Sequence, residues 1–237
     1  MIKIIIPFLL FSFCHLAHSM TPFENHLLSV SRGMAAFYMY DLTEGGSRYK
    51  VRFTEANNIA SQHLKNSKVD GIRRYIKDWD LLSEKLHFKV TKSDYVFIDW
   101  KNREDYRKYL TRLFIDIRPT GEVSLDNHIK VVENVTILSS FLVARSLDVV
   151  SSDYGATSLD DYDRRFNSLQ VVNKLDSDIN SLLLLNLPNN HLRSLRKVSS
   201  QLHFIKSTLV DHRIQTAYTL LYSSMLSIGR LLDSITK

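Results

Sequence analysis

From Asn190 to the C-terminus the chain contains no proline and a single glycine, Gly229. So long a stretch without a helix breaker predicts one long helix, or two nearly collinear ones. Leu195, Val198, Leu202, Ile205 and Leu209 recur at steps of three and four, which lines them up on one side of a helix with 3.6 residues per turn. Past Asp211 the periodic set becomes Ile214, Ala217, Leu221, Ile228 and Ile235, turned by about 100° from the first. A bend or a change of packing partner near His212 follows from that rotation. Glycine at 7 and proline at 4 are scarce along the entire chain. Scarce turn residues favour few, long helices over a sandwich or barrel.

Residues 1–19 have the layout of an export signal: Lys3, an apolar run from Ile4 to Phe13, then small Ala17 and Ser19 at the positions a signal peptidase reads. The run falls short of the roughly twenty apolar residues that span a bilayer, and Phe13 before Cys14 argues against lipid attachment. The mature chain is therefore expected to begin at Met20. Cys14 is the only cysteine, so removal of the signal leaves no disulfide, thiolate ligand or cysteine nucleophile. An exported chain of this size without cysteine fits a bacterial periplasm, or secretion. The remaining residues suffice for one full core, read as a single helical domain with a subdivision near residues 119–121.

Along the chain, Thr21-Pro22-Phe23-Glu24 combines an N-cap, a first-turn proline and a capping glutamate. Phe23, Leu27, Val30, Met34 and Phe37 form one face of that helix, widened by Leu28, Ala35 and Met39, and Glu44-Gly45-Gly46 should end it. Tyr49, Phe53, Ala56, Ala60 and Leu64 outweigh a short strand-like alternation and predict a second helix. Beyond Asp70 a third buries Ile72, Tyr75, Ile76, Trp79 and Leu82. Residues 87–100 are the only strand-like material, compatible with one small β-hairpin or an extended connector. Tyr106, Tyr109, Leu110, Leu113, Phe114 and Ile117 make the next helix, stopped by Pro119. Ser124 is its successor's expected cap, and the interior from Val135 to Val150 is the most apolar segment. Asn134, Ser139, Ser140, Arg145 and Asp148 would be costly in lipid, so this helix is expected to be central to a bundle. A penultimate helix opening at Ser158, with Leu159, Tyr162, Phe166, Leu169, Val172, Leu175, Ile179 and Leu182 as its stripe, turns at Pro188 into the last one as an antiparallel hairpin.

No catalytic or metal constellation emerges. The histidines at 26, 63, 87, 128, 191, 203 and 212 show no i, i+3 or i, i+4 pairing and are expected at the surface or partly buried. Glu84-Lys85-Leu86-His87 supplies half of a di-iron ligand set and has no second copy. Ser47 with Lys50, and Ser194 with Lys197, fit Ser-x-x-Lys without its companion elements. Asp160-Asp161-Tyr162-Asp163 lacks the glycine and distal glutamate of a calcium loop. Asn134-Val135-Thr136 has the form of a glycosylation acceptor inside a helix. No cofactor is expected.

Charge is the remaining signal. Seven basic residues stand against two acidic ones from Asn190 onward, nearly the chain's formal +6. Arg193, Arg196 and Lys197 lie in the first turns of the last helix, where the dipole disfavours cations by about 0.3–1 kcal/mol each. They read as a docking patch for another exported protein or an anionic surface, or as a solvated face. Nucleic acid is not an expected ligand. The chain is thus expected to be all-α, an elongated bundle of six or seven helices ending in a long antiparallel hairpin. Its expected role is that of a non-enzymatic exported protein acting through protein–protein interaction as adaptor, accessory or neutralising partner. The alternative is a helical small-ligand binder or sensor with a pocket lined by tyrosine and phenylalanine; an enzyme comes third.

Overall fold

The structure is a computed structural model that describes residues 20–65, 73–86, 89–90, 96–97, 100–117, 127–151, 167–210 and 217–236. The chain is all-α, with eight helices among these residues. They are α1 (Pro22–Leu42), α2 (Ser47–Lys65), α3 (Arg73–Ser83), α4 (Trp100–Ile117), α5 (His128–Val150), α6 (Ser168–Leu183), α7 (Asn189–Val210) and α8 (Tyr218–Thr236). Between α3 and α4, β1 (Lys89–Val90) pairs antiparallel with β2 (Val96–Phe97), two residues each. Residues 1–19, 119–121, Ser124, His87, the acidic run at 160–163 and the bend expected near His212 lie outside the described residues.

α1 begins as its sequence dictates. The Thr21 hydroxyl accepts from the Glu24 N–H at 3.2 Å, and the Glu24 carboxylate accepts from the Thr21 N–H at 2.8 Å. The helix ends at Leu42, after which Glu44 and Gly45 take positive φ of 50° and 98°. Its apolar side is as wide as expected, with Leu28, Ala35 and Met39 buried beside Leu27, Val30, Met34 and Phe37, and the polar His26 and Ser31 join them in the interior. Neighbours crowd α1 at Gly33, where a Cβ would stand 3.0–3.3 Å from Tyr106, Asn57 and Ala56.

α5 is the other central helix. Every residue from Val131 to Val149 is buried, and α5 packs on α1, α6 and α8, with Phe114 of α4 stacked on its Phe141 at 3.9 Å. Its cap is Asn127, whose side chain accepts from the Lys130 N–H at 3.1 Å. Interior hydroxyls turn back onto the helix, Thr136 to the Val132 carbonyl at 2.9 Å and Ser139 to that of Thr136 at 3.2 Å. No helix among the described residues is long and apolar enough to cross a membrane. Asn134 is buried in α5, which removes it as a glycosylation acceptor.

The C-terminal region departs from the expected single or collinear helix. α8 folds back antiparallel along α7: Gln201 donates to Ser227 at 2.8 Å, and Ser194 meets Ser234 at 3.3 Å. The stripe Leu195, Val198, Leu202, Ile205 and Leu209 is buried as expected, and so are Leu221, Ile228 and Ile235, but Ala217 is exposed. The rotation of the apolar set marks a reversal, because two long apolar faces on adjacent segments bury more area by covering each other and α5 than by running on. This reversal supplies a helix beyond the expected six or seven. α6 is described from its cap Asn167 onward and runs against α7, with Asp176 ion-paired to Lys206. Val172, Leu175, Ile179 and Leu182 are buried, whereas Leu169, expected in the stripe, is 50% exposed.

Candidate functional site

A cleft of about 360 Å³ opens between α1, α2 and α8. Each helix lends one face to it at helical spacing: Leu28 and Arg32 from α1, Arg52, Glu55, Ile59 and His63 from α2, and Met225, Arg230 and Asp233 from α8. Tyr222 borders it and packs edge-on against Tyr49 at 5.3 Å. Three guanidinium groups thus face two carboxylates and one imidazole over an apolar base. Burial raises the Tyr222 phenol, partly offset by the Arg52 charge. Partial burial pulls the His63 imidazole below its ordinary pKa.

Arg32 is the centre of this arrangement. Its side chain is largely enclosed, and among the described residues it makes no hydrogen bond and no ion pair within 4 Å. Burial lowers its pKa while Asp233 and Tyr222 hold it up, so it remains a cation. The room it occupies comes from Gly229: a Cβ at that position would lie 2.9 Å from Arg32 Nη2. The single glycine of the C-terminal stretch is therefore the place where an α1 arginine crosses α8.

A shallower cleft of about 210 Å³ between α3 and α4 has its charges largely matched within the protein, with Arg112 on Asp78 at 3.0 Å and Lys108 on Glu104 at its rim. It offers a ligand less. The expected patch lies elsewhere: Arg193, Arg196 and Lys197 are all exposed on α7, opposite buried Leu195 and Val198. The tyrosines and phenylalanines expected to line a pocket mostly fill the core instead, Phe37, Phe53, Tyr106 and Phe114 among them. Among the described residues no group of three His, Cys, Asp or Glu is placed to hold a metal ion.

Two interior polar sites went unseen in the sequence. Asp148, 0% exposed, accepts from Arg107 through both oxygens, Nε to Oδ2 and Nη2 to Oδ1 at 2.7 Å, and from Arg103 Nε at 3.4 Å. Arg103 also donates to the Asp148 carbonyl at 3.0 Å, lies 3.7 Å from Asp41, and rests 4.8 Å over the Tyr38 ring. Burial, then the Asp148 charge, pushes the Tyr38 phenol well up. His26, also 0% exposed, is the second. Its Nδ1 lies 2.8 Å from the Ala60 carbonyl and its Nε2 2.7 Å from the Tyr109 hydroxyl. A carbonyl only accepts, so Nδ1 carries the proton; burial lowers the pKa of the ring, which is therefore neutral and accepts from Tyr109 at Nε2. This corrects the expectation of surface or partly buried histidines. Lone residues of these types carry no periodic signal; only contacts across helices reveal them.

Comparison with protein families, curated proteins and solved structures finds no match.

Proposed function

We propose that this chain is an exported binding protein whose α1–α2–α8 cleft takes a small organic anion, an oxyanion head joined to a short apolar part. The observation that carries this reading is Arg32, a largely enclosed guanidinium with no carboxylate within ion-pair distance among the described residues, above a base of Leu28, Ile59 and Met225. A planar guanidinium offers paired N–H donors that match a carboxylate or phosphate. Arg52 and Arg230 add charge at the mouth, and the volume lies in the range of small-molecule sites.

Titration calorimetry with hexanoate, benzoate and phenyl phosphate, each against a neutral amide or alcohol analogue, tests the reading. Anions should bind and the neutral analogues should not. Arg32→Ala should weaken binding about tenfold or more, since a charge-assisted hydrogen bond contributes about 1.5–3 kcal/mol. Arg32→Lys should not restore it, because an ammonium lacks the fork. Gly229→Ala should displace Arg32 and weaken binding while changing stability by no more than about 1 kcal/mol, as helix propensity favours alanine. Equal affinity for anion and amide, or an Arg32→Ala variant that binds as well as the parent, overturns the proposal.

A second reading rests on the patch at Arg193, Arg196 and Lys197, where all three side chains are exposed on the face of α7 turned away from the core. It would dock an acidic exported protein. Replacing the three together with Gln should alter stability by no more than about 1 kcal/mol. Association should be lost in that variant and weakened by salt in the parent, as screening requires. Retention of the partner by the triple variant ends this reading.

A further inference from the structure

At the start of α1 and α5, two carboxylates share one ammonium. Lys130 Nζ lies 2.6 and 2.7 Å from the two oxygens of Glu24, and 3.4 Å from Glu133 Oε2. Glu24 is also held by Thr21 through the capping box, so its demands are met. Glu133 is not: it is buried, and its Oε2 has no hydrogen bond. Burial raises its carboxyl pKa and Glu24 adds to that, while Lys130 and the backbone N–H of Met20 pull the other way. The cluster is one positive charge short.

Met20 is held beside this cluster, because the N–H of the next residue, Thr21, donates to Glu24 at 2.8 Å and Glu24 shares Lys130 with Glu133. Its side chain packs against the core, and its carbonyl accepts from Asn25 Nδ2 at 3.0 Å. Its nitrogen acts on Glu133 as a peptide N–H, with one donor and a partial charge. The sequence places Ala17-His18-Ser19 immediately before it, the small-residue pattern of a signal-peptidase site.

We infer that cleavage after Ser19 makes the Met20 nitrogen an α-ammonium that pairs with Glu133, so that removal of the signal completes the charge cluster joining α1 to α5. Water adds across the Ser19–Met20 bond, leaving a carboxylate on Ser19 and an ammonium on Met20. One donor becomes three, and two carboxylates then face two cations. Charge-assisted hydrogen bonds are about twice as strong as neutral ones, and here the acceptor is already desolvated. The inference rests on the export reading and is independent of anion binding in the cleft.

The test starts with the full chain expressed through a bacterial export route and the released protein analysed by intact mass and N-terminal sequencing. Met20 is the expected first residue. Thermal unfolding is then compared for the free and selectively Nα-acetylated protein, in the parent and in Glu133→Gln. Acetylation should lower Tm by about 2–4 °C in the parent, the shift expected for about 1 kcal/mol in a chain this size, and should have little effect in Glu133→Gln. An equal shift in both backgrounds overturns the pairing and leaves export standing. A released protein beginning elsewhere does the same, and a chain retaining residues 1–19 overturns both. Should Glu133→Gln fail to fold, the α-amine pKa of the parent, read by NMR after 13C-methylation, decides: above the ordinary range of about 7.7–8.0 supports the pair, and within or below it refutes it.

Discussion

Asp148→Asn is expected to destabilise the protein by about 3–5 kcal/mol, the range found when one partner of a buried ion pair is removed. Asparagine preserves the shape and deletes the charge. Arg107 would then keep a guanidinium at a fully buried position with its bidentate acceptor gone, and the new amide N–H groups would face donors. Arg103 retains the Asp148 carbonyl and the more distant Asp41. Folded proteins commonly hold only about 5–15 kcal/mol in reserve, so the variant should unfold at a much lower urea concentration. Pairing it with Arg107→Met should recover part of the loss, because the guanidinium that used the Asp148 carboxylate leaves with it. A urea midpoint equivalent to less than about 1 kcal/mol of change in Asp148→Asn would show that the buried carboxylate is not what neutralises these arginines.

The second large effect depends on pH. His26 has its pKa lowered to about 4 from 6.5, first by burial and then by the His63 charge, with its Ala60 hydrogen bond acting in the opposite sense. The folded pKa lies below the unfolded one, so between pH 6.5 and 4 the unfolded chain binds the proton more readily. The stabilisation is complete above pH 6.5 and is lost as pH falls through about 4. It amounts to about 3 kcal/mol, at 1.36 kcal/mol per pH unit. Hydrogen bonding does not set this figure, because a protonated Nε2 could donate to Tyr109 while the phenol turned toward the Tyr75 carbonyl at 3.4 Å. The cost is that of placing charge among Trp79, Tyr109 and the backbone of α2. Urea midpoints measured from pH 7.5 to 4 should fall with a slope approaching one proton, and His26→Gln should lack that slope. An unchanged slope in His26→Gln would assign the acid sensitivity to other groups.

Much of the helical architecture was legible in the sequence, and for local reasons. The capping box at Thr21 and Glu24, the stop at Glu44 and Gly45, and the stripe from Leu195 to Leu209 are each written within a few turns of one helix. The Val135 to Val150 segment likewise announces a helix covered on all sides, since only a central position accommodates so few solvated residues. Leu169 shows the limit of such reasoning, because periodicity names the members of a stripe but not where its edge meets solvent.

What the tertiary structure decided is whatever depends on the direction in which helices return. Periodicity reports that a face is buried and does not say against what, so in the sequence the reversal of α8 along α7 shows only as a bend or a change of packing partner. Arg32, Arg52 and Arg230 each look like an ordinary solvated cation in the chain, and only that reversal brings α8, with Gly229, beside α1 and α2 to build the cleft. Asp148 and Arg107 lie on different helices, as do His26 and Tyr109, and their pairing follows from packing geometry. Local propensity and apolar pattern determined the helices; burial of charge, which requires a partner from elsewhere in the chain, was settled only when the helices were packed together.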